Sequence, residues 1–303
     1  MDRIVNLIYD ILRNSYLKRL FTVSSSIAVA LSVALYFAQS YLIYPRQFPA
    51  GSRTDVPSPS DFGVESWEAV DLVTPDGEKL PSFLLKASPK LGHKLPFTFI
   101  FFHGNAGNIG HRVPIGQVIS DQMGANFLLV SYRGYGLSTG TPSEKGLNID
   151  AQTALDWVLD NPELKDTKII IYGQSLGGAL GISLASRNQD RVAGLVLENT
   201  FRDLRTLIPK VFPPAKHIAW LCHQKWPSET VIKTVDKIPI LFLSGGNDEL
   251  VPPDHMKRLF DVAGSTSKVF KVFPNGEHND TCNEPGYFET IAEFIMGLEK
   301  KGQ

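Results

Sequence analysis

The stretch Lys168-Ile169-Ile170-Ile171-Tyr172-Gly173-Gln174-Ser175-Leu176-Gly177-Gly178 decides the fold. Its β-branched opening predicts a buried strand, and the small-residue run over 179–185 predicts a helix behind it. Between the two stands Gly-x-Ser-x-Gly. A turn this tight strains the serine backbone and lifts its hydroxyl clear of the sheet. Gly173 and Gly177, lacking Cβ, let strand and helix close around it. Ser175 is the candidate nucleophile. A plain Gly/Ser turn would have the same five residues, so partners elsewhere in the chain must separate the two readings.

Working outward, short and nearly continuous apolar runs occupy residues 96–102, 125–132, 194–197, 239–243 and 268–273. Runs of that kind predict parallel strands buried on both faces. Residues 65–72 and 79–86 flank Pro75-Asp76-Gly77, a hairpin signal. Helical patterns alternate with the strands. Thr141-Pro142-Ser143-Glu144 predicts a capping box with proline at the first helical position, followed by an apolar face of Leu147, Ala151, Ala154, Leu155 and Val158. Asn161-Pro162 ends that element. The last helix presents Phe288, Ile291, Phe294, Ile295 and Leu298 at the same spacing. The fold class expected is α/β, a mostly parallel doubly wound sheet whose ligands bind beyond the carboxyl ends of the strands.

Candidate partners follow strands. His103-Gly104-Asn105-Ala106-Gly107-Asn108 comes directly after an apolar run, and its glycines permit backbone N–H groups to turn towards a reacting carbonyl. A phosphate cradle is disfavoured by the missing Rossmann spacing and the missing Gly-Lys-Ser/Thr; a simple glycine turn is the other alternative. Asp248, in Gly245-Gly246-Asn247-Asp248-Glu249, is the candidate acid, with Glu249 as the adjacent alternative. His278, between the last predicted strand and the last helix, is the candidate base. The order Ser175, Asp248, His278 is the Ser–acid–His order of α/β hydrolases.

The 303 residues hold one large domain and something more. Lys+Arg number 30 against 31 Asp+Glu, so no basic excess points to nucleic acid. The only cysteines, Cys222 and Cys282, make neither a zinc ribbon nor a disulfide scaffold, although they are able to pair if the domain faces an oxidising lumen.

The additional part is N-terminal. Residues 20–45 carry no charge and suffice for a membrane-spanning helix, a signal anchor with Tyr36, Tyr41 and Tyr44 towards its far end. Arg3, Arg13, Lys18 and Arg19 precede it, and only Arg46 and Arg53 follow closely. The positive-inside rule then puts the N-terminus in the cytoplasm and the main domain across the membrane. Residues 1–19 form the leader, amphipathic over residues 4–20 and suited to a membrane surface. Residues 46–61, rich in Pro, Ser and Gly, read as a linker, and residues 62–303 as the globular domain. The insert over about 201–234, with Leu207, Ile208, Val211, Phe212, Ile218, Trp220, Leu221 and Trp226, is a small helical cap.

The set formed by residues 103–112, Tyr132-Arg133-Gly134-Tyr135-Gly136, residues 173–178, residues 247–253 and Gly276-Glu277-His278 resembles the α/β-hydrolase-domain (ABHD) serine hydrolases. It is most similar to their membrane-anchored bud-emergence (Bem-type) branch, over about residue 62 to the C-terminus. The resemblance implies an α/β-hydrolase fold with Ser175 as nucleophile, Asp248 as acid and His278 as base. It implies the backbone N–H groups of Asn105 and Leu176 as oxyanion hole. The chemistry it implies is acyl transfer to water, on ester or thioester bonds of acyl or lipid substrates, and needs no metal or organic cofactor. A lumenal domain in the endomembrane system, the endoplasmic reticulum first, fits the anchor. A serine peptidase of the same fold, or a silent hydrolase-like membrane protein acting by binding, are the rival readings. Asn279-Asp280-Thr281 is a glycosylation sequon beside His278, expected to stay unused because a glycan there would obstruct the site.

Overall fold

The computed structural model describes residues 14–88, 92 and 94–300. Most of the amphipathic leader expected before residue 20 lies outside them. A long helix, α1 (Ser15–Ile43), opens the described chain, capped by the Asn14 side chain, which accepts the N–H groups of Tyr16 and Leu17. It is long and apolar enough to cross a membrane. Residues 46–61 are irregular but packed: Arg53 donates to the Gly136 carbonyl at 2.7 Å, and the Asn108 amide donates to the carbonyls of Ser52 and Asp55.

Eight strands follow: β1 (Trp67–Val73), β2 (Lys79–Leu85), β3 (Phe97–Phe102), β4 (Asn126–Leu129), β5 (Lys168–Gln174), β6 (Gly194–Glu198), β7 (Ile240–Gly245) and β8 (Lys268–Phe273). They form one sheet in the order β1-β2-β4-β3-β5-β6-β7-β8. The β1–β2 hairpin and the β2–β4 pair are antiparallel, and every later pair is parallel. All six side chains of β3 are buried, which matches its central place and its unbroken apolar sequence. The edge strand β8 departs from the expectation of burial on both faces. Among the described residues it pairs with β7 alone, and Val269 and Val272 stay exposed because no further described strand or helix covers them.

Helices cover both faces. On one side α3 (Glu144–Asp160), α4 (Leu176–Arg187) and α6 (Pro253–Val262) bury Leu147, Leu155, Leu180 and Leu259 in one core layer. On the other, α2 (Val113–Val118) and α7 (Tyr287–Lys300) bury Val113, Tyr287, Ile291 and Ile295 in a second. Two core layers around a parallel sheet are the doubly wound arrangement expected. The start of α3 differs from the expectation. Its N-cap is Ser143, whose hydroxyl accepts the Gly146 N–H at 3.1 Å, so Thr141 and Pro142 precede the helix. Glu144 does not close a capping box; its carboxylate accepts the Lys225 N–H and so fastens the cap insert to the body.

The insert over 201–234 contains α5 (Leu204–Val211), short 3-10 turns at Pro213–His217 and Ala219–Leu221, and a single helical turn at Ser228–Val231. Cys222 lies in it, and both Cys222 and Cys282 are free thiols. The expected option of a disulfide between them is therefore not realised: Cys222 donates instead to the Gln224 carbonyl, and burial pushes the Cys282 thiol up to about 12.

Candidate active site

The motif that opened the sequence reading forms the turn between β5 and α4. Ser175 has φ +53° and ψ −117°, a region that L-residues rarely occupy. The strain is held by neighbours. Its N–H donates to the Glu198 carbonyl at 2.8 Å, and its own carbonyl accepts the Thr200 hydroxyl at 2.7 Å. The two glycines are obligatory on space alone: a Cβ on Gly173 would stand 2.2 Å from the Gly177 carbonyl oxygen, and one on Gly177 would stand 1.9 Å from that of Phe102.

Ser175, Asp248 and His278 are far apart in sequence and meet at the carboxyl edge of the sheet. His278 Nε2 lies 3.0 Å from Ser175 Oγ. Its Nδ1 lies 2.8 Å from Asp248 Oδ2 and 3.0 Å from Oδ1. A carboxylate only accepts, so Nδ1 carries the proton and Nε2 presents a lone pair to the serine hydroxyl. Asp248 Oδ1 is fixed by the N–H groups of Leu250 and Val251 at 2.9 and 2.7 Å. Glu249 points elsewhere: its carboxylate accepts the His278 main-chain N–H at 3.1 Å, which leaves Asp248 as the acid facing the ring. All three members are buried, Ser175 7%, Asp248 7% and His278 5% exposed.

Leu176 heads α4, where the first N–H groups have no partner inside the helix. The loop after β3 comes close to the same point: a Cβ on Gly104 would lie 3.7 Å from that of Ser175. Asn105 is the next residue, and its carbonyl accepts the Tyr135 hydroxyl at 2.8 Å. The loop is fixed from below by His103, whose ring stacks on Tyr132 at 4.2 Å between centroids. Tyr132 donates its hydroxyl to the His103 carbonyl. His103 Nδ1 lies 2.7 Å from the Gly104 carbonyl and must donate; complete burial lowers the ring's pKa to about 3, which keeps it neutral at pH 7.

Two supports escaped sequence reasoning. Asn199, at the end of β6 with φ +45°, donates its amide to the His278 carbonyl and accepts the Gly245 N–H. Glu198 is buried beneath the site, accepting the hydroxyls of Tyr172 and Tyr287 at 2.7 and 2.6 Å; burial raises its pKa. A polar pair closing an otherwise apolar strand was the only signal for them.

Asn105 also lines an apolar cavity of about 490 Å³. Its walls come from the cap, through Leu204, Leu207, Ile208 and Phe212, and from the last turns of α1, through Leu35, Leu42 and Ile43.

The chain is similar to known proteins in sequence and in fold. A sequence profile described as alpha/beta hydrolase fold matches residues 98–219, and one described as serine aminopeptidase, S33, matches residues 228–286. Among solved structures, the alpha-beta hydrolase of Vibrio vulnificus superposes with a TM-score of 0.68 at 21% identity, covering 84% of this chain and 91% of that one. The Pyrococcus furiosus esterase Pf2001 superposes at 0.64 with 17% identity, covering 80% and 94%. These likenesses establish the fold. Protein bem46 of Schizosaccharomyces pombe is 46% identical over 89% of this chain and 91% of its own length. The membrane protein YNL320W of Saccharomyces cerevisiae is 38% identical over 88% and 92%, and the Arabidopsis thaliana alpha/beta hydrolase domain-containing protein WAV2 is 33% identical over 93% and 95%. With 33–46% identity over 88–93% of its length to these relatives, the chain belongs to the Bem46-type family of α/β hydrolases.

Proposed function

We propose that this protein is a membrane-anchored serine hydrolase cleaving ester or thioester bonds of acyl or lipid substrates. The observation that carries the reading is the line from Ser175 Oγ to His278 Nε2 to Asp248, at 3.0 and 2.8 Å, on a serine with positive φ. His278 takes the Ser175 proton as Oγ attacks the acyl carbonyl, and Asp248 stabilises the imidazolium that results. The N–H groups of Asn105 and Leu176 hold the oxyanion, where one such donor contributes about 3–4 kcal/mol. His278 then protonates the leaving alcohol or thiol. Water attacks the acyl-enzyme with His278 as base, releasing the acid and restoring Ser175.

A peptidase reading draws on the aminopeptidase profile over residues 228–286. It ranks second because an α-amino group calls for a carboxylate, and the cavity lining contains none. The anchor reading rests on α1 and on the yeast relative named as a membrane protein. The cations before α1 favour a cytoplasmic N-terminus and a lumenal catalytic domain, with the endoplasmic reticulum as the compartment; protease protection of the domain in sealed microsomes tests this.

Fluorophosphonate labelling of the full chain in detergent tests the chemistry. Labelling of wild type that is lost in Ser175→Ala and His278→Ala, with folding intact, is the expected result. A folded wild-type protein that never labels overturns the mechanism and favours a binding role.

A further inference from the structure

The helix α1 is longer than a tether requires. At 29 residues it spans about 44 Å, whereas a hydrocarbon core of about 30 Å takes about 20 residues. With Lys18 and Arg19 at one headgroup layer, the core ends near Gln39. The last turn, including Leu42 and Ile43, then stands at the opposite interface.

That end of the helix is bonded to the cap. Gln39 is buried, its amide donating to the Leu221 carbonyl at 3.1 Å and its oxygen accepting the His223 N–H at 2.9 Å. The Tyr44 hydroxyl donates to Gln224 and accepts from the Trp226 indole. The Asn105 side chain donates to the Ile43 carbonyl at 3.2 Å, which ties the helix end to the loop beside Ser175. An amide in a membrane helix is tolerated where both its polar groups are satisfied, and here the cap backbone satisfies them. Helix and cap are therefore one unit.

Between them lies the apolar cavity. One wall is the membrane helix, the other is the cap, and Asn105 lines it as well. Lining residues are open to the outside: Phe212 is 60% exposed on the cap and Leu42 67% on the helix, and the aromatics next in sequence to lining residues, Trp220 and Tyr41, are exposed too. A patch of this kind in water is unfavourable, while at the headgroup level its aromatics are well placed.

Resting on the hydrolase reading, we propose that α1 is a wall of the substrate site, and that the acyl chain of a bilayer lipid enters laterally between α1 and the cap. The occupant is an acyl chain because the cavity is lined by residues of the apolar helix, has no charge in its lining and reaches Asn105, the residue next to Gly104, which packs against Ser175. Charged headgroup atoms stay at the rim.

The test uses the full chain in phosphatidylcholine nanodiscs containing a phosphatidylcholine with a diazirine near the middle of its acyl chain. Photolysis is expected to crosslink both the segment 204–222 and the segment 35–43. Crosslinks confined to the outer face of α1 overturn the proposal. In parallel, Ala219→Trp from the cap side and Leu42→Trp from the helix side fill the cavity. Each is expected to lower the ratio of hexadecanoyl to butanoyl thioester turnover by about tenfold or more. An unchanged ratio in both, with both folded, overturns lateral entry. Failure of the chemistry looks different: crosslinks in the cavity with no fluorophosphonate labelling of Ser175 reject the hydrolase reading and leave a lipid-binding groove.

Discussion

Asn199 donates its side-chain amide to the main-chain carbonyl of His278 at 3.2 Å, joining the end of β6 to the loop that carries the imidazole. The same amide donates to Thr281 Oγ1 at 2.9 Å, and its oxygen accepts the Gly245 N–H at 2.8 Å. One buried side chain thus fixes the loops after three strands.

Asn199→Asp keeps the shape but turns donors towards the carbonyls into acceptors. It is expected to lower kcat by about ten- to a hundredfold with KM nearly unchanged, since a small misplacement of the base is enough. The kcat–pH profile checks that this is positioning: the apparent pKa of the base moves in Asn199→Asp and stays put in a variant destabilised elsewhere, such as Leu259→Ala.

Asp248→Asn is expected to lower kcat by about 10⁴, because an amide no longer holds the imidazole in the required tautomer. Glu249→Gln retains an acceptor for the His278 N–H and is expected to lower it by less than about tenfold. Equal losses in the two would return Glu249 to candidacy. Turnover of a short-chain ester by purified full-length protein decides.

Gly177→Ala places a methyl 1.9 Å from the Phe102 carbonyl oxygen, backbone that cannot yield. Loss of at least about 3 kcal/mol, or failure to fold, is expected in thermal and urea melts. Gly297→Ala, in α7 with nothing within 4 Å of the added carbon, is expected to stabilise by about 0.5–1 kcal/mol.

His103 titrates at about 3 in the fold because burial opposes its charge, against about 6.5 in the unfolded chain. The unfolded state alone binds that proton between these values, so stability falls as pH drops through the window, by about 1.4 kcal/mol per unit from this group. His103→Gln removes the dependence. The stability difference between wild type and variant, followed by urea denaturation from pH 7 to pH 4, should shift towards the variant as pH falls.

Much of the site was legible before folding. Gly-x-Ser-x-Gly between an apolar run and a small-residue helix marked Ser175 because its geometry needs those glycines locally. Asp248 and His278 were legible because each follows a strand, and a parallel sheet brings all strand ends to one edge. Asn199 was not, since its bonds run to residues about eighty positions away in β8's loop and say nothing in the local pattern. The N-terminus of α3 was misplaced for a related reason: Glu144 is drawn to the Lys225 N–H in the cap, a partner outside the reach of any local capping rule.

The sequence by itself determined the class of fold, the long apolar helix and the three residues of the candidate triad, all properties of periodicity and local backbone demand. Tertiary structure decided that Asp248 and not Glu249 faces the imidazole, that Cys222 and Cys282 remain apart, and that residues 46–61 pack on the domain. It also decided that α1 is bonded to the cap through Gln39 and forms a cavity wall. These depend on where side chains from distant segments meet, and a one-residue difference between two adjacent acids is resolved only by the turn that aims one of them inward.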